Sequence, residues 1–433
     1  MSETTIGIVA IFVLLGFFLT GIEMAFAMAI VGIAGYAIVI SPEAATYLLA
    51  NDFHDSLYSY NMTVVPLFVL MGQIVFNGGV ARRLYDTTHR FLGHIPGGLA
   101  VATVVGATIF KAMCGSSAAT TATFASVAVP EMDRFNYSKK LSTGIVATVG
   151  TLGLLIPPAA TLILLGIITQ QSIGALFMAG IIPGLILAAL FIIVILGWAR
   201  IDPAVGPKSS RFSWRARMRT VPELMWPTLV FVVMIGGLML GLFTPTEAGS
   251  VGLFCVLVIT IAKGDINFKG VKESVNQALR TSVMIIILIT ASTMLGHFIA
   301  VTDIPNNIAE ILGSLPLNRN VILCIIFMVY LLGGTFIDDV AFMILATPIF
   351  FPPMLNLGYD PIWICIMLSL VLGIGAVIPP VAMNVFIVKQ VCNVPIGVVY
   401  KGVYPFLISL VMCVALLFAF PQIALYLPSV LMK

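Results

Sequence analysis

Long apolar runs separated by short polar or basic segments make up most of the chain. Apolar runs cover about residues 6–20 and 22–40, and a polar stretch without lysine or arginine follows at 41–61. A further apolar run near 62–78 ends just before the basic pair Arg82-Arg83. Because about 20 apolar residues cross a bilayer as a helix, this pattern predicts several transmembrane helices.

Composition supports the same class of protein. The 433 residues are 60% hydrophobic and 9% charged, and the mean hydropathy is +1.12. A soluble domain has no means of burying so much apolar surface, so we expect an all-α polytopic membrane protein. The formal net charge of +3 does not indicate a nucleic-acid partner. The six cysteines lie in apolar runs without CxxC spacing and are predicted to be core residues.

Basic segments set the predicted orientation in the membrane. The longest polar loop, residues 200–220, carries six basic side chains against the single acid Asp202, and Lys139-Lys140 form a smaller basic segment. Basic loops remain in the cytoplasm, which places both segments there. A helical pair with legs near 226–240 and up to Ala262 also begins and ends at basic residues. It is therefore expected to cross the membrane outward and back.

A re-entrant hairpin is predicted between two cytoplasmic ends at residues 91 and 133. Once the glycine- and proline-containing ends are set aside, each leg has about 15 residues, or roughly 22 Å of helix. A bilayer core is about 30 Å thick, so neither leg is long enough to cross it. The hairpin is placed at 96–130, with its tip at Gly115-Ser116-Ser117. The alternative for this alanine- and threonine-rich stretch is a helix–helix contact face.

The hairpin and the segment that follows it have a second copy 222 residues downstream. Prolines and glycines dominate the matched positions. Proline restricts the available backbone conformations, and glycine extends them. The shift pairs Pro130 with Pro352, Gly153 with Gly375, Ile156-Pro157-Pro158 with Ile378-Pro379-Pro380, and Ser116-Ser117 with Asp338-Asp339. An internal repeat is therefore predicted.

Each copy contains a helix that two consecutive prolines interrupt. The prolines Pro157-Pro158 break the segment 141–170, and Pro379-Pro380 break the segment 362–392. Proline removes a backbone donor, so carbonyls near the break lose their helical partners. Such a break is tolerated at membrane depth only inside protein or beside a polar cavity, and freed carbonyls are natural ligands for a hard cation. A simple proline kink is the alternative for either copy alone.

The two copies have opposite orientations. The span at 62–78 runs toward the cytoplasm because Arg82-Arg83 follow it, whereas the equivalent span near 281–300 leaves the cytoplasm because Arg280 precedes it. Inverted-topology repeats with broken helices are typical of secondary transporters.

The predicted organisation has four parts. They are N-terminal scaffold helices (1–61), a first inverted repeat (62–198), a cytoplasmic basic loop with a connector helix pair (199–280) and a second inverted repeat (281–433). Each repeat contains a re-entrant helical hairpin (96–130 and 320–354) and a Pro-Pro-broken transmembrane helix (141–170 and 362–392). A final span is expected near 406–427.

Several motifs together resemble the large membrane subunit of TRAP transporters, the DctM-like family of the ion-transporter superfamily. They are Gly-Ser-Ser at 115–117 with Pro130-Glu131-Met132, Gly150 to Pro158, Ala179 to Gly184, Thr244 to Gly249, Gly334 to Asp338 and Gly358 to Pro361. The resemblance implies a sodium-driven, elevator-type importer of an organic acid such as a dicarboxylate, sialic acid or a similar carboxylate. It also implies a small four-helix membrane subunit, a periplasmic substrate-binding protein, a place in the bacterial inner membrane and no organic cofactor.

The same resemblance implies two sodium sites where each hairpin tip meets its broken helix. Their residues are Gly115, Ser116, Ser117, Gly153, Ile156 and Pro157 in the first repeat, and Gly334, Asp338, Gly375 and Ile378 in the second. Candidate substrate contacts near the tips are Ser117, Lys111, Asp339 and Asn384. Two positions depart from the family pattern: Ile378 stands where a threonine is usual, and Lys111 stands where small or apolar residues are usual.

Charged residues in the hairpins indicate function because charges inside a membrane are costly. Asp338 is expected to be an ionised sodium ligand, with a core acid satisfied by basic or backbone groups as the alternative. Three alternatives are predicted for the Lys111 ammonium. In the first it reaches the cytoplasmic interface, in the second it pairs with Asp339, and in the third it contacts a carboxylate of the substrate.

Two other classes of protein are alternatives. A membrane-embedded enzyme is disfavoured, because the four histidines are dispersed and form no HExxH motif or metal-spaced cluster. A stand-alone sodium-driven dicarboxylate or citrate carrier of the same superfamily shares the double-hairpin plan and is the nearer alternative.

Overall fold

The protein is helical throughout the part that the structure describes. The computed structural model describes residues 2–304, 307, 310 and 317–431, and every regular element in those ranges is a helix. Eight helices within them are long and apolar enough to cross a membrane. The prediction of an all-α polytopic membrane protein is confirmed.

Three helices precede the first repeat. They are α1 (Glu3–Leu19), α2 (Met24–Val39) and α3 (Pro42–Tyr58). Helix α3 forms in the segment that the sequence marks only as polar. The Ser41 hydroxyl accepts a hydrogen bond from the Ala44 N–H at 3.1 Å, and a proline occupies the first turn, where no N–H is needed.

The first repeat contains seven helices. They are α4 (Val64–Asn77), α5 (Val80–Leu92), α6 (Gly98–Lys111), α7 (Ser117–Arg134), α8 (Lys139–Val149), α9 (Ala160–Ile168) and α10 (Ile173–Ile201). Helices α6 and α7 form the first hairpin. Helices α8 and α9 are the two halves of the first broken helix, and a short 3₁₀ turn at Gly150–Leu154 lies between them.

The connector and the second repeat follow. The connector consists of α11 (Trp214–Met218), α12 (Val221–Met239) and α13 (Pro245–Ala262). The second repeat consists of α14 (Phe268–Val301), α15 (Arg319–Phe336), α16 (Asp339–Asn356), α17 (Pro361–Gly375), α18 (Met383–Cys392), α19 (Ile396–Ala419) and α20 (Gln422–Leu431). Helices α15 and α16 form the second hairpin, and α17 and α18 are the halves of the second broken helix.

Several predicted boundaries were wrong. The first hairpin does not end at Pro130, because the proline lies inside α7, which continues to Arg134. The second hairpin runs over 319–356 rather than 320–354. The connector unit was predicted to extend to residue 280, but helix α14 begins at Phe268. The start is fixed there because the Asn267 side chain caps the helix by accepting a hydrogen bond from the Gly270 N–H at 2.9 Å. The predicted final span is two helices that meet at Pro421, because proline interrupts the backbone hydrogen bonds.

The structure confirms the internal repeat. A shift of 222 residues moves the bounds of α7 onto those of α16, and it moves α4 into the second half of α14. The end of α4 lies beside the start of α14, where the Asn77 side-chain amide donates to the Ser274 hydroxyl at 2.8 Å. Equivalent helices α4 and α14 therefore run in opposite directions, as inverted repeats require.

The segments predicted to be cytoplasmic lie together on one face. Arg83, just after α4, forms an ion pair with Asp265, which precedes α14. Lys263 pairs with Glu223 of the connector at 2.6 Å. The Gly97 N–H at the start of the first hairpin donates to the Gly206 carbonyl of the long basic loop at 2.8 Å. The basic loops thus share one side of the helix bundle.

A cysteine at Ser210 is expected to react only with thiol reagents that reach the cytoplasm. Ser210 is exposed and lies in the long basic loop, which the positive-inside rule keeps in the cytoplasm. The measurement compares permeant and impermeant maleimides on intact cells, in a variant whose exposed Cys324 is replaced by serine. Labelling of Ser210→Cys by the impermeant reagent from outside would contradict this orientation.

Candidate functional site

A cavity of about 260 Å³ lies where the two hairpin tips face helices α4 and α14. The first hairpin lines it with residues 114–119, and the second hairpin lines it with Asp338, Asp339 and Val340. Pro158 and Ala160 of the first broken helix contribute a further edge. The cavity is thus bounded by both repeats, and its polar groups come mainly from the hairpin tips.

The first tip is bound directly to the first broken helix. The Ser116 hydroxyl caps α7 by accepting a hydrogen bond from the Ala119 N–H at 3.2 Å. The Gly115 carbonyl accepts from the Ala160 N–H at 3.3 Å. A β carbon on Gly115 would lie 2.5 Å from the Pro158 carbonyl oxygen, so this close approach requires glycine.

Ser117 connects the first tip to both broken helices. Its hydroxyl donates to the Gly150 carbonyl at 2.9 Å and accepts from the Asn384 side-chain amide at 3.3 Å. Asn384 belongs to α18 of the second repeat and is only 2% exposed. Two predicted substrate residues, Ser117 and Asn384, therefore lie together and join the two repeats.

The second tip carries a carboxylate where the first carries a hydroxyl. Asp338 caps α16, and its Oδ1 atom accepts hydrogen bonds from the N–H groups of Val340 and Ala341 at 3.2 Å each. Asp339 is buried beside it, and its Oδ1 atom accepts from the Val340 N–H at 2.9 Å. Capping uses one oxygen of Asp338, which leaves the other Asp338 oxygen available to a ligand.

The second tip also packs on its broken helix through glycine. A β carbon on Gly375 would lie 2.8 Å from the backbone carbon and 3.1 Å from the carbonyl oxygen of Gly334. The Ala382 N–H, at the start of α18, donates to the Thr335 carbonyl at 3.4 Å. Of the residues predicted for the second sodium site, Gly334 and Gly375 are thus in backbone contact, Asp338 caps the helix that follows Gly334, and Ile378 lies at the interruption after α17.

The two interruptions differ in exposure. Ile156 and Pro157 are buried, whereas Pro379 and Pro380 are exposed and Ile378 is half-buried. Ile156 packs against α10, where a β carbon on Gly184 would lie 2.7 Å from its side chain. Isoleucine has no side-chain oxygen, so Ile156 and Ile378 could serve a cation only through their carbonyls.

Lys111 is fully buried, at 0% exposure. Its ammonium donates a hydrogen bond to the Ser116 carbonyl at 2.7 Å. Because Lys111 is buried, its ammonium does not reach the cytoplasmic interface, which was the first of the three predicted alternatives. The hydrogen bond of the ammonium thus goes to a backbone carbonyl rather than to Asp339.

Sequence reasoning missed the opposite wall of the cavity. Gln73 and Phe76 of α4 and Thr281 of α14 line it, and no motif marks them. It also missed the contact between Asp52 of α3 and His297 of α14, whose side chains lie 3.2 Å apart. The two positions are separated by 245 in the sequence, so no local pattern could have indicated the contact.

The chemistry available here suits a hard cation and a small anion. Carboxylate and carbonyl oxygens are the ligands that hard cations prefer. The N-termini of α7 and α16 both face the cavity, and helix N-termini favour anions. Across the described ranges, no group of three or more histidine, cysteine or acidic side chains could hold a metal ion.

Inverted repeats whose hairpin tips meet broken helices inside a membrane protein define a secondary transporter. Comparison with known proteins identifies the family. Residues 9–423 match the family model described as the DctM component of the tripartite ATP-independent periplasmic transporter. The chain belongs to this family, and the resemblance seen in its sequence motifs is confirmed.

Individual relatives agree with this assignment. The chain is 33% identical to the C4-dicarboxylate TRAP transporter large permease protein DctM of Pseudomonas aeruginosa, over 90% of this chain and 91% of that protein. It is 31% identical to the ectoine TRAP transporter large permease protein TeaC of Halomonas elongata, over 96% and 97%. Among solved structures, the YdaH transporter of Alcanivorax borkumensis shares the fold, with a TM-score of 0.64 at 15% identity and coverage of 88% and 89%. The named relatives are transport proteins rather than enzymes.

Proposed function

We propose that this chain is the permease subunit of a sodium-coupled importer of an organic acid. The observation that carries the proposal is the second hairpin tip, where a capping carboxylate, Asp338, borders a cavity beside an interrupted helix. A carboxylate at this depth is costly unless a cation or a hydrogen-bonding network compensates it. Its two capping N–H groups supply part of that compensation, and a bound sodium ion would supply the rest.

Backbone carbonyls are the proposed partners of Asp338 in the sodium site. Gly334 and Gly375 lie in backbone contact, and Ile378 follows at the interruption of the second broken helix. Sodium is a hard cation that oxygen ligands satisfy. The corresponding residues of the first repeat, Gly115, Ser116, Ser117, Gly153, Ile156 and Pro157, surround the first tip and form the other cation position.

The proposed substrate is a small carboxylate held between the tips. The relatives named above transport a C4-dicarboxylate and ectoine, and both compounds carry a carboxylate. The N-terminus of α7 offers unpaired N–H groups to such an anion. Ser117 lines the cavity and accepts a hydrogen bond from Asn384, so Ser117, held by Asn384, would supply a neutral hydrogen bond that fixes the orientation of the acid.

Family membership supports the proposed partners and location. A permease of this family is expected to work with a small four-helix membrane subunit and with a periplasmic binding protein that delivers the acid, in the bacterial inner membrane. We further propose that the two hairpins and broken helices move together against α4 and α14 as an elevator. The hydrogen bond between Ser117 and Asn384, which joins the repeats at the tips, supports a single moving body.

Uptake by reconstituted proteoliposomes tests this proposal. The chain is incorporated with its small subunit, and radiolabelled C4-dicarboxylate or ectoine is added with its binding protein under an inward sodium gradient. We expect accumulation only when the gradient and all three proteins are present. Equal uptake under a potassium gradient would contradict sodium coupling, and equal uptake without the binding protein would favour a stand-alone carrier.

A further inference from the structure

The end of the first hairpin leg contains a cation of its own. Lys111 is the last residue of α6, and its side chain turns toward the tip, where the ammonium donates to the Ser116 carbonyl at 2.7 Å. The residue is 0% exposed. An ammonium is rarely buried so completely unless its charge has a task in the protein.

The ammonium lies between the tip and the first broken helix. A β carbon built on Gly153 would collide with the Lys111 nitrogen and with the end of its stem. Gly153 belongs to the 3₁₀ turn that replaces regular helix between α8 and α9, where carbonyls lack their usual α-helical partners. The ammonium therefore occupies the junction between the tip and the interrupted helix, where it is held by the Ser116 carbonyl oxygen.

This position is behind the tip rather than inside the cavity. Of the described residues that line the cavity, the first hairpin contributes 114–119 and not Lys111. A substrate between the tips would meet the N-terminus of α7 before it met the ammonium. The placement thus favours a role in the tip itself over direct contact with substrate.

The second repeat has the opposite arrangement of charge. The 222-residue shift places Gly333 at the position of Lys111 and Asp338 at the position of Ser116. A β carbon on Gly333 would run into the Phe342 ring, so a long side chain has no room there. The first tip therefore combines a neutral cap with a fixed cation, whereas the second combines an anionic cap with no lysine.

We propose that the Lys111 ammonium is a tethered cation that fills the first cation position, so that sodium binds only at the second tip. The proposal rests on the sodium coupling proposed above and refines it. The ammonium neutralises the partial negative charge of carbonyls at the first tip, as a bound sodium ion would. Because it is covalently attached, it is never released during transport, and each cycle uses one sodium ion fewer than two equivalent sites would.

Sodium binding to the purified permease, with its small subunit in detergent, tests the proposal. Binding of ²²Na⁺ is measured at constant ionic strength with choline chloride as the balancing salt, so no substrate is needed. We expect the wild type to bind one sodium ion per chain and Lys111→Ala to bind two, because alanine vacates the space beside Gly153. Lys111→Arg keeps a fixed charge and serves as the matched control, with one ion expected.

The outcomes separate this proposal from the proposed function. A wild type that binds two sodium ions overturns the tethered cation, and this measurement needs no variant that must fold. A wild type that binds one ion, with no gain in a folded Lys111→Ala variant, also overturns it while leaving sodium coupling intact. A wild type and a Lys111→Ala variant that both bind no sodium would instead contradict the sodium coupling of the proposed function.

Discussion

Replacing Asp338 with asparagine is expected to reduce sodium-driven uptake about tenfold or more while leaving the fold intact. Asparagine caps helices as well as aspartate does, so the hydrogen bonds to Val340 and Ala341 survive. The charge that would hold sodium is lost. A hydrogen bond or contact to a charged group contributes roughly 1.5–3 kcal/mol. A difference of about 1.4 kcal/mol corresponds to a tenfold change in a binding constant.

Asp338→Ala is the matched variant, because it removes both the charge and the cap. We expect it to lower the unfolding free energy by about 1 kcal/mol more than Asp338→Asn does. The measurements are initial uptake rates over a range of sodium concentrations and thermal unfolding of each purified variant. If Asp338→Asn keeps the wild-type sodium dependence, Asp338 is a capping residue only.

Gly144→Ala is expected to destabilise the protein strongly. Gly144 of α8 packs against Gly402 of α19, and a β carbon there would collide with the Gly402 backbone. Backbone atoms cannot rotate away as a side chain can, so the two helices must separate. Overpacking of this kind costs typically about 1–3 kcal/mol. The measurement is the thermal unfolding midpoint in detergent, with the sodium concentration fixed.

Gly197→Ala is the control for this effect. Gly197 also lies in a helix, α10, but a β carbon built there meets nothing within 4 Å. Alanine favours a helix over glycine by about 1 kcal/mol, so this variant should be as stable as the wild type or more so. A Gly144→Ala midpoint at or above that of Gly197→Ala would show that α8 and α19 do not depend on this contact.

Features that depend on local backbone chemistry could be predicted from the sequence. Pro157-Pro158 and Pro379-Pro380 locate the two interruptions, and Gly115 locates the first tip, because these residue types restrict or permit particular backbone conformations. The inverted orientation followed from the positions of basic loops alone. Pro130 was misleading, because a proline inside a well-packed helix removes one hydrogen bond without ending the helix.

Features that depend on packing between distant segments could not be predicted. The cavity wall formed by α4 and α14 appears only when the repeats fold against each other. The burial of Lys111 likewise depends on Gly153, which lies in the 3₁₀ turn between α8 and α9. Glycine carries no charge, so nothing in the sequence indicated this contact. The capping role of Asp338 had a local signal, since an aspartate that precedes a helix is a common N-cap.

The opposite charges at the two tips also make the two halves of the chain chemically different. A chain made of two first repeats would carry two buried lysines and no carboxylate at either tip. A chain made of two second repeats would carry two pairs of aspartates and no lysine at either tip. The two repeats are therefore not interchangeable, although a single shift of 222 residues relates the bounds of α7 and α16.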